Sequence, residues 1–252
     1  IIHVDDASGA TFNAMQSDVG VYRYQTATVE NADGSTSVIL DNISPGPTIS
    51  TAAQAVVDTR AAAVSLWNDE QDALNLRMDN ERRTGSSDGT LNAWGSYYGG
   101  YHRQQMNMAS SSYDQTNNGF MVGADKRVGA SSGEWLFGAA VMRGFSDVNM
   151  HDEGSVGSDI DSYGASIYAS YRMNNGLFLD ANLKGTHLKN DLSVVSVDGG
   201  KTSGDYSTNG FGGAFKGGYH LALRSFYIEP YTQVSYARYN GVDYSRENGM
   251  RA

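Results

Sequence analysis

Cysteine is absent from the 252-residue sequence, proline occurs only three times, and apolar residues never form a run of about 18. The lack of cysteine excludes disulfides and suits a protein that crosses the periplasm unfolded, although many cytosolic proteins also lack it. The lack of a long apolar run excludes a transmembrane helix but not membrane strands, which need apolar residues only at alternate positions. Positive charge is also scarce, and the net charge of -10 argues against a nucleic-acid partner.

The longest continuous pattern in the sequence is helical and runs from Thr51 to Arg83. Thr51 and Gln54 fit a capping box, Arg82 and Arg83 suit the negative end of the helix dipole, and Gly85 is a candidate C-cap. Such a helix is about 50 Å long, but its many charges mean that it cannot face lipid. Its apolar face is predicted to contain Ala52, Val56, Thr59, Ala63, Leu66 or Trp67, Leu74 and Met78.

The residues before this helix are rich in short β patterns. Residues 1–43 contain several alternating segments separated by Asp, Gly and Asn, and Asn31–Gly34 has the composition of a hairpin turn. The two prolines in residues 44–47 mark a linker. No signal peptide is visible at Ile1, and we expect the chain to be a piece of a longer protein.

From Leu91 onward the apolar residues recur at every second position, and this period of two predicts β-strands. In one strand Leu179 and Leu183 alternate with Asp180 and Lys184, and the other strands show similar alternation. Strands that are apolar outside and polar inside are typical of an outer-membrane barrel, although a soluble β-sandwich also alternates. The seven predicted segments are 90–103, 119–129, 134–146, 160–173, 176–189, 208–222 and 226–240.

The connections between these strands alternate between short turns and long polar segments. Outer-membrane barrels have short periplasmic turns and longer external loops. The first strand is therefore expected to run from the periplasm to the exterior, with the helix ending at the periplasmic mouth. If residues 1–43 lie outside the cell, the helix has to run through the pore.

Several segments resemble the autotransporters of type V secretion, in the pertactin- and AIDA-like group. The helix end LWNDEQDALNLRMDNERR, the first strand LNAWGSYYGGY and the second strand GFMVGADKRVG are similar to the corresponding family segments. GVYRYQ resembles the last rung of the secreted passenger, often called the autochaperone. The resemblance covers most of the chain and implies a mainly β fold, an outer-membrane antiparallel barrel of which about seven of twelve strands are present. It further implies a pore-spanning helix and a short N-terminal β-helix-like segment.

The resemblance also implies how the chain is divided and what it does. Residues 1–44 would be the end of the passenger, 45–86 the linker and pore helix, and 87–252 part of the barrel. The chain would anchor an upstream passenger in the outer membrane and support its display at the cell surface, where the N-terminal segment would lie. The expected partners are outer-membrane lipid, the barrel assembly machinery, periplasmic chaperones and the passenger, with no cofactor and no enzymatic activity.

One family subgroup cuts its own helix between two adjacent asparagines. Asp72 and Ala73 occupy those positions here, so this chemistry is not expected. The five histidines show no metal-ligand spacing, and neither a G-x-S-x-G elbow nor a P-loop is present. A different small outer-membrane barrel, either an adhesin or a surface protease using His151, Asp152 and Glu153, is an alternative. A soluble β-rich binding module is another.

The candidate site consists of charges that face each other across the predicted pore. Carboxylates opposite guanidinium groups can hold a helix in place, and we expect Arg77 or Arg82 to pair with an inward acid. The alternative is that pore water hydrates each charge separately. The inward acids on this phasing are Asp125, Asp180 and Glu229, and the helix carries Arg60, Arg77, Arg82 and Arg83.

Overall fold

The chain folds, in a computed structural model, into a small N-terminal sheet, one long helix and a large antiparallel sheet. No helix among the described residues is long and apolar enough to cross a membrane. The predictions for Gly85 and for the linker at 44–47 lie outside the described part of the chain. The described residues are 2–4, 15–42, 48–84, 89–106, 111–151, 156–223 and 226–240.

The N-terminal sheet is antiparallel throughout, with strand order β1-β4-β3-β2 and with β5 also paired to β3. The predicted hairpin turn is confirmed, because Gly34 has φ 82° and the Asp33 carboxylate accepts a hydrogen bond from the Ser35 backbone N–H. The rungs of a parallel β-helix pair in parallel, so the β-helix-like pairing is not found among the described residues. The strands are β1 (Ile2–Val4), β2 (Gln16–Val19), β3 (Tyr22–Glu30), β4 (Thr36–Asn42) and β5 (Thr48–Ile49).

The predicted helix is present as α1 (Thr51–Thr84), with 34 residues. The predicted capping box is wrong, because Ser50 is the cap. Its hydroxyl accepts a hydrogen bond from the Ala53 N–H at 3.3 Å, and its carbonyl accepts the first helical bond, from Gln54. The predicted apolar face is buried except at Val56, which is exposed.

The large sheet contains seven strands in the order β6-β7-β8-β9-β10-β11-β14, and every neighbouring pair is antiparallel. Among the described residues its edges β6 and β14 do not pair, so the sheet is not closed. The ribbon β12-β13 connects the last two strands. The strands are β6 (Leu91–Met106), β7 (Ser111–Ala130), β8 (Gly133–Met150), β9 (Val156–Met173), β10 (Leu177–Val195), β11 (Lys201–Tyr219), β12 (Leu221–Leu223), β13 (Phe226–Ile228) and β14 (Tyr231–Tyr239).

The strands are longer than the sequence pattern predicted. Strands β6 to β11 contain 16 to 20 residues each, instead of the roughly 9–11 that cross a bilayer. Most residues of the predicted long polar connections continue the strands, since antiparallel pairing can extend wherever both partners remain extended. β10 and β11, for example, pair without interruption from Leu177↔Tyr219 to Val195↔Lys201.

The two faces of the sheet differ as the alternation predicted. Inward residues such as Asp180 and Lys184 are buried, while outward residues such as Ile167 and Phe211 are about 60% exposed. On the outward face, one cross-strand row contains Trp135, Tyr171 and Leu179, and a second row, eight residues further along each strand, contains Arg143, Tyr163 and His187. We call the outward face between these rows the apolar belt.

The height of the apolar belt matches a membrane. Eight residues extend about 26 Å along a strand, or about 20 Å in height at a tilt near 40°, close to the roughly 25 Å apolar band of outer-membrane barrels. Aromatic residues mark both rows, with the Trp135 and Tyr171 rings stacked at 4.4 Å. Beyond the second row the outward residues become charged, as at Asp147 and Asp159, which lie directly opposite each other.

Arginine substitutions along the outward face test this assignment. Ile167 lies four residues from both Tyr163 and Tyr171, so Ile167→Arg is expected to cost about 2–4 kcal/mol, the value for the bilayer midplane. Thr116 pairs with Asp147 beyond the belt, and Thr116→Arg is expected to cost about 0–1 kcal/mol. Denaturant unfolding of the full-length protein in lipid vesicles measures both. A negligible loss at Ile167 would show that this face contacts water.

Candidate functional site: the helix and the inner face of the sheet

The helix α1 is contacted by inward side chains from all seven strands of the large sheet. The contacts combine apolar packing, as between Leu74 and the β8 residues Leu136 and Ala140, with hydrogen bonds to side chains and carbonyls of the helix. The polar contacts come from Tyr98 on β6, Gln115 on β7, Ser162 on β9, Lys184 on β10, Lys216 on β11 and Gln233 on β14. The sheet therefore curves around the helix.

Arg77 and Asp125, two of the predicted site residues, form a two-pronged ion pair. The Arg77 Nε and Nη2 atoms donate to the two Asp125 carboxylate oxygens at 2.9 and 3.0 Å. Tyr168 donates a hydrogen bond of 2.7 Å to the same carboxylate, and the Trp94 indole N–H donates to the Tyr168 hydroxyl. The Asp125 side chain is fully buried, so it depends on these donors for its charge to be stable.

Arg82 and Asp180 form a second buried pair, about one helical turn further along α1. Arg82 Nη1 lies 2.9 Å from Asp180 Oδ2, and Ser170 donates to the other oxygen of the carboxylate. The guanidinium carbon lies over the Phe178 ring, 3.7 Å from its centroid. Stacking on an aromatic face and pairing with a carboxylate are both interactions that favour arginine over lysine.

Glu229, the third predicted acid, lies at the end of the helix. Its carboxylate is 3.2 Å from Arg83 Nη2 and 3.6 Å from Arg82 Nε, and His220 contacts it at 2.7 Å. Each of the three inward acids therefore has an arginine from the helix within 4 Å. Arg60, near the start of the helix, is exposed.

The most deeply buried ion pair among the described residues is one that sequence reasoning missed. Lys184 Nζ lies 3.0 Å from Glu70 Oε2, and the side chains are 0% and 1% exposed. Lys184 also donates to the Trp67 carbonyl at 2.8 Å, and Ser162 donates to the second Glu70 oxygen at 2.7 Å. Glu70 is four residues from both Leu66 and Leu74, and this helical spacing was the signal that could have placed it on the buried face.

A second missed group lies toward the end of β6. Asp69 accepts a hydrogen bond of 2.7 Å from the Asn117 side chain, and His102 Nε2 lies 2.8 Å from the same oxygen. Gly100 is adjacent, and a Cβ at this position would lie 2.9 Å from the Asp69 carboxylate. Because Gly100 has no side chain, the Asp69 carboxylate on the helix can approach β6.

Inward side chains of the large sheet also bind the last carbonyls of the helix. Arg127 on β7 donates to the Glu81 carbonyl, and Arg172 on β9 donates to the Arg82 carbonyl at 2.6 Å. The last four carbonyls of a helix have no partner within the helix, and cations near them interact favourably with its dipole. Side chains of the sheet therefore complete the end of α1.

The described residues include no group of three or more His, Asp or Glu that could hold a metal ion. His151 pairs with Asp114 at 2.9 Å on the outward side of β7, while Asp152 and Glu153 lie outside the described residues. The chemistry of the inner face is ion pairing and hydrogen bonding to the helix. This arrangement can hold a helix and can exclude water from the space around it.

Comparison with known proteins places the chain in a family. A family model described as the autotransporter beta-domain matches residues 93–252. An uncharacterized protein of Salmonella typhimurium, YaiT, is 35% identical over 255 residues, an alignment that covers 100% of this chain and 24% of that protein. The pertactin autotransporter of Bordetella bronchiseptica is 33% identical over 210 residues, covering 82% of this chain and 22% of pertactin.

A solved structure agrees with these matches. The crystal structure of the beta domain of the Bordetella autotransporter BrkA matches with a TM-score of 0.56 and 27% identity, over 64% of each chain. The chain spans about a quarter of the length of the curated relatives it matches. The resemblance inferred from the sequence is thereby confirmed. The chain belongs to the autotransporter β-domain family and is a translocator and anchor region of the outer membrane.

Proposed function

We propose that this chain carries an upstream passenger across the outer membrane and then holds it at the cell surface, with α1 inside the pore. The observation that carries the proposal is that inward side chains of all seven strands contact α1 while the opposite face is an apolar belt. A charged helix is stable in a polar lumen and unstable in lipid. The helix is the covalent link between passenger and anchor.

Within this proposal each part of the chain has a separate role. Residues 1–44 are the end of the passenger and lie at the surface, 45–86 are the linker and pore helix, and 87–252 belong to the barrel. The ion pairs of Arg77, Arg82 and Arg83 with the inward acids hold the helix once translocation is complete. The barrel assembly machinery and periplasmic chaperones act on the chain before it folds, and the chain itself catalyses no reaction.

The contact between the N-terminal sheet and the helix supports this order of parts. Asp18 accepts a hydrogen bond of 2.9 Å from the Thr51 backbone N–H, and Arg23 bridges the Asp18 carboxylate and the Thr51 hydroxyl. A carboxylate at a helix N-terminus is favoured by the helix dipole. The sheet therefore forms a folded cap at the start of the helix, where the passenger would leave the pore.

The orientation of the chain in the outer membrane can be tested by inserting a specific protease site and adding the protease to intact cells. A site inserted in the Asn31–Gly34 turn is expected to be cut without permeabilisation, because that turn would lie outside the cell. A matched site in the Ser131–Ser132 turn between β7 and β8 is expected to be cut only after the outer membrane is permeabilised. Cleavage of the first site only after permeabilisation would instead favour a small barrel with a periplasmic extension.

The position of the helix can be tested by crosslinking two cysteines. Leu74→Cys is combined with Ala140→Cys, since Leu74 and Ala140 belong to one buried cluster. The control combines Leu74→Cys with Ala139→Cys, the neighbouring residue on β8 that faces outward and is exposed. A short thiol crosslinker is expected to join only the first pair in full-length protein in the membrane. Efficient crosslinking of the control pair would place the helix outside the sheet.

The buried pair Glu70–Lys184 provides a test of how the helix is held. Lys184→Met leaves Glu70 buried without its cation and is expected to destabilise the folded protein by about 3–5 kcal/mol. Adding Glu70→Leu should recover most of the lost stability, because an apolar pair often replaces a buried ion pair without cost. The temperature at which the compact, heat-modifiable form is lost measures the stability of both variants.

The control for this cycle is Lys201→Met, which removes an exposed lysine at the start of β11, beyond the apolar belt. Its effect should be small, since exposed charges contribute little to stability. If the double variant is as unstable as Lys184→Met alone, then Glu70 and Lys184 are not coupled and the helix is not held by this pair.

A further inference from the structure

The apolar belt contains two adjoining open depressions. Their volumes are about 830 and 590 Å³, they share Ile167, Leu183 and Phe211 as lining residues, and together we call them the groove. Ala169, Ala181 and Gly185 lie along it and leave space between the larger side chains. A Cβ added at Gly185 would meet no atom within 4 Å, which shows how open this part of the groove is.

One end of the groove meets a cluster of cations. The groove residues Val141, Ala165 and Gly185 form one cross-strand row, and the next outward row contains Arg143, Tyr163 and His187. The Arg143 guanidinium lies 3.8 Å from the centre of the Tyr163 ring, and the Lys189 ammonium lies 5.7 Å from it. Two cations therefore share one aromatic platform at the mouth of the groove.

The position of these cations coincides with a boundary of the membrane. They lie at the second aromatic row, where the apolar belt ends and headgroups are expected. Long basic side chains at this level can keep their stems in the apolar region while the charge reaches the headgroups. Basic residues at this level are attracted to an anionic lipid surface.

The surrounding charges define where an anion can lie. Asp161 lies directly opposite Lys189 and is 3.3 Å from Arg143, where it engages only part of the guanidinium, which has five N–H donors. Arg238 on β14 lies opposite Phe211 on another side of the groove mouth. Further out, four exposed aspartates lie directly opposite one another across four strands: Asp147, Asp159, Asp191 and Asp205. An anion is attracted at the groove mouth and repelled beyond it.

We propose that this groove binds an anionic, phosphate-bearing membrane lipid. An acyl chain lies along the small residues of the groove, and the phosphate lies between Arg143 and Lys189. Neither element alone specifies this ligand, because any apolar belt contacts acyl chains and any exposed cation attracts anions. Their continuity, with the cations placed at headgroup level, favours a single molecule that satisfies both.

The test uses full-length protein in detergent micelles and native mass spectrometry. Two lipids with the same acyl chains are compared, dimyristoyl phosphatidylglycerol and dimyristoyl phosphatidylcholine, which differ in net headgroup charge. The wild-type protein is expected to retain the phosphatidylglycerol about tenfold better, because its phosphate charge is not neutralised by a quaternary ammonium as in phosphatidylcholine. Inorganic phosphate is added separately and is expected not to displace the lipid, since it cannot fill the groove.

Matched variants separate the two parts of the site. Arg143→Gln with Lys189→Gln should reduce phosphatidylglycerol retention to that of phosphatidylcholine, while Lys126→Gln, at the other end of the belt, should change nothing. Gly185→Leu should reduce retention of both lipids by filling the groove. Gly95→Leu is its control, since Gly95 lies on β6 and its surroundings allow a Cβ.

Three outcomes for the wild type and for the Arg143 and Lys189 variant would overturn the proposal. They are equal retention of the two lipids by the wild type, unchanged selectivity in the Arg143 and Lys189 variant, and displacement of the lipid by inorganic phosphate. Selectivity lost equally in Lys126→Gln would mean a general effect of charge and would also contradict a defined site. Heat-modifiable migration of every variant verifies that the barrel is folded in each comparison.

Discussion

Buried charge is the constraint on which the structure depends. The inner face of the sheet carries Asp125, Asp180 and Lys184, each at most 2% exposed, and an isolated buried ion is costly. The helix supplies the opposite charge at each position, with arginines toward its C-terminus and Glu70 in its middle. Near the same end of the helix the inward cations Lys216 and Arg127 meet the helix acids Asp79 and Glu81. A shift of the helix by one turn, about 5.4 Å, would bring these charges out of register.

The same constraint explains why the helix ends are tied to β-structure. Asp18 and Ser50 bind N–H groups at its start, and Arg127 and Arg172 bind carbonyls at its end. These backbone groups have no partner inside the helix, and in a confined space they have limited access to water. The helix is therefore held at both ends as well as along its length, as a segment that links a passenger to its anchor requires.

The outer face follows the opposite rule. Lipid cannot hydrogen-bond, so most side chains in the apolar belt are aliphatic, aromatic or small, and the lysine within it, Lys126, lies one outward position from the Trp135 row. Alternation of side chains along each strand lets one sequence meet both requirements, because neighbouring residues face different solvents. Where the strands extend beyond the belt, the outward face is acidic and the inward face still contacts the helix, as Gln115 contacts Ala62.

The sequence by itself determined the elements and the direction in which side chains point. The period of two placed Asp180 and Lys184 on one face and Leu179 and Leu183 on the other, and the period near 3.6 placed most of the buried face of α1 correctly. Strand ends were less well determined, because polar residues are compatible with both a loop and a solvated strand. The capping residue was missed for a related reason, since Ser50 and Thr51 are both suitable caps and only backbone geometry separates them.

Only the tertiary structure decided which charges meet. The predicted facing of Arg77, Arg82 and the inward acids reduced the candidate pairs to a short set. The choice of partner, however, depends on the register of the helix against residues up to 146 positions away in sequence. Glu70 and Lys184 were each visible as charges, yet their pairing required the distance between two elements that local patterns do not contain. The groove on the outward face arises in the same way, because cross-strand register aligns small residues from separate strands and brings Arg143 and Lys189 to one aromatic ring. Local periodicity fixes the direction of a side chain, whereas its neighbours are fixed by strand register and packing.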